Sequence, residues 1–389
     1  MLPETFQTMR TLLIFFYALL LSVSAWAQEV VLQGRVVDAE TSEAMPYVAI
    51  YLREGKGVLT NAEGEYRLSV SQQDVLTFSC VGYEKQRISV SEVPKVVKMK
   101  PFERMLSEVV VRPVEEMKIL KQVIRQLKQD YSKHNKDRQG YFLRSMMRNS
   151  KDSYLVESLM AGLSAVNLRN PETLSGRRGM NAKGDESEMR LRLTNIHHLA
   201  EIGPRTYQSM YWESVIKPLT SMAMIKKYYK VEMETLHGND GEKLYRFTFQ
   251  WNDKHTKDIG NRRYLTGTID VDANNLHILR FEGNVGNAYQ WVNHQRLPST
   301  IRFHINYDCT RGYAAVSNLA FEGGNDKMKY RALLFNIQDD GLFATSSGYS
   351  GGNILYSVDE AGYDSTLWER YNIVKRTREE ERIAFGDEE

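Results

Sequence analysis

Few residues in this chain have the types and spacing to do chemistry. Gly348-Tyr349-Ser350-Gly351-Gly352 fits the G-x-S-x-G pattern of a nucleophile elbow, a strained strand-to-helix turn that lifts a serine toward a histidine base. An elbow needs an acid and then a histidine downstream. The last histidine is His304, upstream of Ser350, and ILYSVDEAGYD follows the motif. A Gly/Ser loop accounts for the same residues. Asp270-Val271-Asp272-Ala273-Asn274-Asn275 starts like a calcium loop, which wants Gly sixth and a bidentate Glu twelfth. Here those positions hold Asn275 and Phe281, and a hairpin turn explains the run without an ion.

The histidines do not form a ligand set. His197 and His198 are adjacent and would face opposite ways on a strand, and His294 and His304 lack a carboxylate or thiolate at metal-site spacing. Neither H-E-x-x-H nor C-x-x-C occurs. Asp253, His255 and Asp258 fall in the charged loop WNDKHTKDIG. The expectation is therefore no metal, no cofactor and no catalytic residue. Cys80 and Cys309 sit in apolar alternating segments and read as two structural thiols, although a bridge between domains would suit an exported protein.

Aromatic content is the remaining chemical clue, with 22 Tyr, 14 Phe and 5 Trp concentrated in the second half. Tyr211, Trp212, Trp251, Tyr264, Tyr289 and Trp291 are the candidates to line a groove for an acyl chain, a sugar or a peptide. Each could equally be a core residue of an ordinary β-domain.

The elements that would position these groups begin after residues 1–27. Arg10, the apolar run Leu12–Leu21 and Ala25-Trp26-Ala27 have the layout of a cleaved secretory signal peptide. The run is too short to span a bilayer, and Gln28 rather than Cys follows the cleavage site, which gives no support to a lipoprotein anchor. A net charge of +2 on 389 residues, with no concentration of Lys and Arg, gives no footprint for nucleic acid. The length allows two domains of ordinary size.

Residues 30–98 alternate in period two and are punctuated by Gly and Asn/Asp turns, the pattern of a small β-sandwich. Gly34–Asp38, Met45–Ile50, Gly57–Tyr66 and Phe78–Tyr83 together resemble the carboxypeptidase-regulatory-like domain. That resemblance implies a transthyretin-like, seven-stranded type of sandwich over 28–112. It also implies a non-catalytic accessory module of exported Bacteroidetes proteins, including the N-terminal extension of TonB-dependent outer-membrane transporters. Where that family usually has Thr-Asp before the glycine turn, this chain has Thr60-Asn61.

From Pro113 to Tyr131 apolar residues recur at helical spacing, with Lys118, Lys121, Arg125 and Lys128 facing elsewhere. This predicts a helix covering a sheet, with a membrane-lying helix as the rival. Strands then follow in series, with hairpin turns at 239–241 and 272–275. GYFLRSMMRN and SYLVESLMAGLSAV read as two strands or as a strand and a short helix, and 206–230 as a helix interrupted by Pro218. Tyr264–Asp272 with Leu276–Glu282 resembles the strand–turn–strand of LolA-like lipoprotein carriers, as do Tyr141–Arg144, Tyr154–Ser158 and Leu367–Val374. This implies an α+β domain over 113–375 with a curved antiparallel half-barrel and covering helices. The charged stretch 376–389 reads as a solvated tail.

The chain is thus expected to be mainly β and to act as a non-enzymatic envelope protein in the periplasm or on the periplasmic face of the outer membrane. Its second domain would bind an apolar ligand or an envelope protein. The alternatives are an assembly module beside a TonB-dependent transporter and, third, a hydrolase.

Overall fold

The computed structural model describes residues 29–52, 57–104, 113–134, 136–149, 153–164, 172–178, 222–239, 241–255, 257, 264–292, 295–337, 358, 360–371 and 374–385. Strands β1 (Glu29–Asp38), β2 (Ala49–Tyr51), β3 (Gly57–Leu59), β4 (Glu65–Ser71), β5 (Val75–Ser79), β6 (Gln86–Ser89) and β7 (Val96–Met99) form the predicted sandwich. Its two sheets run β4-β1-β7 and β3-β2-β5-β6. Inward residues alternate as the pattern demands: Tyr66, Leu68 and Val70 from β4 meet Ile50, Leu76 and Phe78 from the facing sheet. Asn61 closes the turn before β4, its Oδ1 accepting from the backbone N–H of Glu63 and Glu65 at 2.9 Å each. Gly64 takes φ +75°, where a Cβ would lie 2.7 Å from the Val36 carbonyl.

A two-residue strand, β8 (Glu103–Arg104), leads out of the sandwich. Helix α1 (Pro113–His134) starts at the proline and carries Glu115 and Glu116 in its first turn, where they complement the helix dipole. Then come β9 (Arg138–Asn149), β10 (Ser153–Ser164), β11 (Glu172–Arg178), helix α2 (Met222–Tyr228), β12 (Tyr229–His237), β13 (Lys243–Trp251), β14 (Tyr264–Asp272) and β15 (Ile278–Gly286). A ribbon of β16 (Tyr289–Val292) and β17 (Gln295–Pro298) precedes β18 (Thr300–Asp308), β19 (Ala315–Asn325) and β20 (Met328–Ile337). Helices α3 (Ser365–Glu369) and α4 (Arg378–Phe385) come last.

Eleven strands join in one open, curved antiparallel sheet, ordered β11-β10-β9-β20-β19-β18-β15-β14-β13-β12-β8. GYFLRSMMRN and the Ser153–Ser164 part of SYLVESLMAGLSAV are strands, not a strand and a helix. β9 reaches β20 across the chain, so the β9–β11 hairpins attach to the end of the β12–β20 meander. The Asp272–Asn275 turn is the expected hairpin: Asp272 Oδ1 accepts from Asn274 N at 2.7 Å. The helix expected over 206–230 is present from Met222 to Tyr228; its earlier part lies outside the described residues.

Register fixes the sheet's two faces. Phe247, Ile269, Phe281, Ile305, Leu319, Leu334 and Leu143 lie directly opposite one another on successive strands, an unbroken apolar row. On this face α1 buries Leu120, Val123, Ile124 and Leu127, and α2 buries Ile225. One residue along, the row reads Arg246, Asp270, Arg280, Asn306 and Asn318. That polar face is covered by the sandwich and by the chain's last described segment.

The C-terminal stretch departs from its expectation as a solvated tail. Thr377 and Glu380 form a reciprocal capping box, with Thr377 N donating to Glu380 Oε2 at 2.8 Å and Glu380 N donating to Thr377 Oγ1 at 3.2 Å. The helix it starts buries Ile383 and Ala384 against Met146 and Leu155. Glu379 and Glu380 face Arg148 and Arg144 on the sheet while Arg378, Glu381 and Arg382 are exposed, which is why charge density alone misled.

Candidate interdomain site

The sandwich meets the sheet around one fully buried carboxylate. Asp270 Oδ1 accepts from Arg246 Nε at 2.7 Å, and Oδ2 accepts from Arg246 Nη2 at 3.0 Å and Arg280 Nε at 2.9 Å. The three residues stand side by side on β13, β14 and β15, so pairing register alone brings them together. Two residues further along β15, Glu282 lies opposite His304 of β18, with Nδ1 3.1 Å from Oε2.

The sandwich contributes its two turn motifs. In Cys80-Val81-Gly82-Tyr83, Gly82 takes φ +82°, and a Cβ there would lie 3.0 Å from Arg246 Nη2 and 3.7 Å from Arg280 Nη2. Glycine therefore lets the turn sit flat on the two guanidinium groups. In Met45-Pro46-Tyr47, Tyr47 itself adopts the left-handed region at φ 60°, and its ring rests 5.4 Å from that of His304. An apolar contact of Phe102 and Val81 with Leu236, Leu244 and Leu279 seals one side. Between the domains lies a cavity of about 710 Å³, walled by Asp38, Tyr83 and Lys100 from the sandwich and by Arg246, Arg280 and Glu282 from the sheet.

The electrostatics favour mutual neutralisation. Burial works against the charge of Arg280, but Asp270 and Glu282 outweigh it and hold the guanidinium firmly protonated. Burial likewise opposes ionisation of Glu282, yet the His304 contact and Arg280 pull its carboxyl down to about 2. Cys80, beside the same charges, is pushed up to about 11 by burial. A second network lies toward the other end of this face. Arg144 donates to Glu157 at 2.7 Å and to the Val374 carbonyl at 2.6 Å, while Arg376 also binds Glu157. On the opposite face Asp130 of α1 accepts from Ala314 N and meets His277 Nδ1, each at 3.1 Å. Nearby Cys309 is pushed up to about 12 by burial and by Asp308 and Asp130. Burial disfavours the thiolate at both positions, and both are free, half-buried cysteines rather than a bridge.

The aromatic candidates divide. Trp251 and Tyr264 do come together, stacked with centroids 4.4 Å apart, and Tyr228 stacks on Trp251 at 5.6 Å. Tyr229 meets Trp251 edge-on at 5.5 Å and accepts from Leu265 N through its hydroxyl. Trp251 is buried in the core, so the cluster welds α2 to the ends of β12, β13 and β14. Tyr289 and Trp291 lie on β16, three and five positions beyond Gly286, which pairs with Tyr264; the backbone thus carries them away from the same end of the sheet. Tyr211, Trp212 and Ser350 lie outside the described residues. Among the described residues no three His, Cys, Asp or Glu gather as metal ligands, and no helix is long and apolar enough to cross a membrane.

Arg246, Arg280 and Glu282 escaped sequence reasoning, and Asp270 was weighed there only as the start of a calcium loop. The available signal was a charge flanked by apolar neighbours on both sides, as in Ile269-Asp270-Val271 and Leu279-Arg280-Phe281, with opposite signs facing across a hairpin.

Residues 32–111 match the CarboxypepD_reg-like domain. The chain is also 28% identical over 102 residues, 26% of its length, to the TonB-dependent receptor SusC of Bacteroides thetaiotaomicron, and it spans only 10% of that receptor. Among solved structures, a lipoprotein-sorting protein domain from Vibrio parahaemolyticus overlaps 57% of this chain and 93% of its own at 11% identity and a TM-score of 0.25. A DUF1329 family protein from Desulfovibrio piger overlaps 59% of this chain and 98% of its own at 11% identity and a TM-score of 0.24. Overlaps that shallow carry no argument about ligand or activity.

Proposed function

We propose that this chain is an exported, non-enzymatic envelope protein in which the CarboxypepD_reg-like sandwich is a fixed adaptor, seated on a second domain that holds an envelope protein or an apolar ligand. The observation that carries the reading is the seating itself. The sandwich turns are fitted to the Arg246–Asp270–Arg280 row, and the ionisable groups at the junction neutralise one another. A catalytic centre calls for the reverse, groups poised with unspent protons or lone pairs. The thiols, raised to about 11 and about 12, point the same way. Similarity to part of a TonB-dependent receptor supports the envelope setting.

The partner reading is favoured over the ligand reading by the packing of the sheet's apolar face. Among the described residues, Leu120, Ile124 and Leu127 of α1 pack into it. Association with an outer-membrane TonB-dependent transporter is the corresponding assembly role. The test is cell fractionation followed by cross-linking in the native envelope, with native mass spectrometry and organic extraction of the purified protein. Recovery with a specific envelope protein or a stoichiometric lipid supports the proposal. A cytosolic protein, or one that turns over an ester or peptide panel and loses that activity on Ser350→Ala, overturns it.

A further inference from the structure

We infer that the helix layer on the far side of the sheet docks on an anionic lipid bilayer, so that the protein presents its sandwich away from the membrane. The inference rests on the envelope reading above. Helix α1 spans 22 residues, and its apolar side is spent on the sheet. Lys118, Lys121, Arg125, Lys128 and Lys133 are all exposed, and at 100° per residue they fall on the half of the helix opposite Leu120, Val123 and Leu127. Past the first turn this arc carries no acid: Asp130 is turned inward and hydrogen-bonded to Ala314 N and His277. Among the described residues no ion pair engages any of the five.

Helix α2 covers the same face and adds exposed Lys226 and Lys227, the latter with its Nζ 4.7 Å from the Tyr228 ring, beside Met224 at 44% exposure. The acids near the helices lie at their ends: Glu115, Glu116 and Glu232 near the start of α1, Asp137 against His134 at its close, and Asp253 just past the end of α2. A row of cations about 20 Å long, on a rigid helix whose greasy side is already occupied, is complementary to a plane of phosphates. The residue type points to lipid over a protein acid patch. Four of the five are lysines, hydrated point charges on flexible stems, whereas stereospecific carboxylate pairing favours arginine. Binding by charge without insertion is reversible and salt-sensitive.

The experiment is co-sedimentation of the protein, purified as its host exports it, with phosphatidylcholine vesicles lacking or containing about 30% phosphatidylglycerol, at low and high salt. Expected is binding to the anionic vesicles only, abolished by salt, and weakened about ten-fold or more by K121Q/R125Q/K128Q with the thermal midpoint unchanged. The charge-preserving K121R/K128R variant should bind like the parent. Equal binding to neutral vesicles, no binding to either, or a triple variant that binds undiminished overturns the inference. Fractionation separately reports the compartment, so a protein found in the envelope that ignores vesicles sinks only the docking surface.

Discussion

Gly82 of the sandwich and Arg246 of the sheet are packed so closely that a single added carbon on the glycine would lie 3.0 Å from the guanidinium. The same glycine has φ +82°, a region where an L side chain costs about 1–2 kcal/mol. Gly82→Ala should therefore destabilise by at least that amount in urea unfolding, and Gly82→Val by more. Should both variants unfold with the parent's midpoint, the turn does not bear on the junction.

Asp270 is the shared anion of two guanidinium groups and has no contact with water. Asp270→Ala strands both charges, and we expect a loss of about 3–5 kcal/mol. Replacing all three residues by apolar ones, as R246M/D270L/R280M, should recover much of it, because desolvation of the ions then disappears with them. Equilibrium denaturation of both variants decides the matter.

Glu282 gives the junction a pH signature. Its folded carboxyl sits at about 2, below the ordinary 4.5, so protons bind the unfolded chain more readily. Its contribution is complete above the ordinary carboxylate range and is lost as pH falls from about 4.5 toward about 2. Stability curves of the parent and Glu282→Gln should converge as pH falls through that window.

The cysteines should be silent in the native protein. Burial raises Cys80 from 9.0 to about 11, which lowers its thiolate fraction about a hundred-fold at neutral pH. Labelling with a thiol-specific disulfide reagent should be slow for both cysteines and become fast on unfolding. A rapid native reaction would contradict the thiol assignments.

Trp251 offers a test of core against ligand role. As the centre of an aromatic stack with Tyr228, Tyr229 and Tyr264, it should cost about 3–5 kcal/mol on replacement by Ala. A residue kept for a ligand would leave the melting temperature of the empty protein nearly unchanged.

How much of this was legible in the sequence depends on what covers what. The sandwich was readable because alternation and turn chemistry are local: Thr60-Asn61 and Gly64 announce their own geometry. The helix over 113–134 was readable from its stripe. The polar face of the sheet was not, because alternation says that a strand has two sides and is mute on whether the polar one meets water. Arg280 looks like a solvated strand residue until the sandwich is laid on it. The same blindness hid the final helix. The Thr377-Arg378-Glu379-Glu380 capping box is present in the sequence, but the surrounding charge drew the eye first.

The stretch from Val374 to Thr377 wedges between the two bodies. Val374 enters the sandwich core, Lys375 reaches Glu65, and the Arg376 carbonyl accepts from Asn61. The sandwich thus rests on a seat part of which is synthesised some three hundred positions later. Its own β-strands can pair early, but its full docking must wait for residues 374–377. Through that interval the fitted turns and the polar face of the sheet lack this part of their seat.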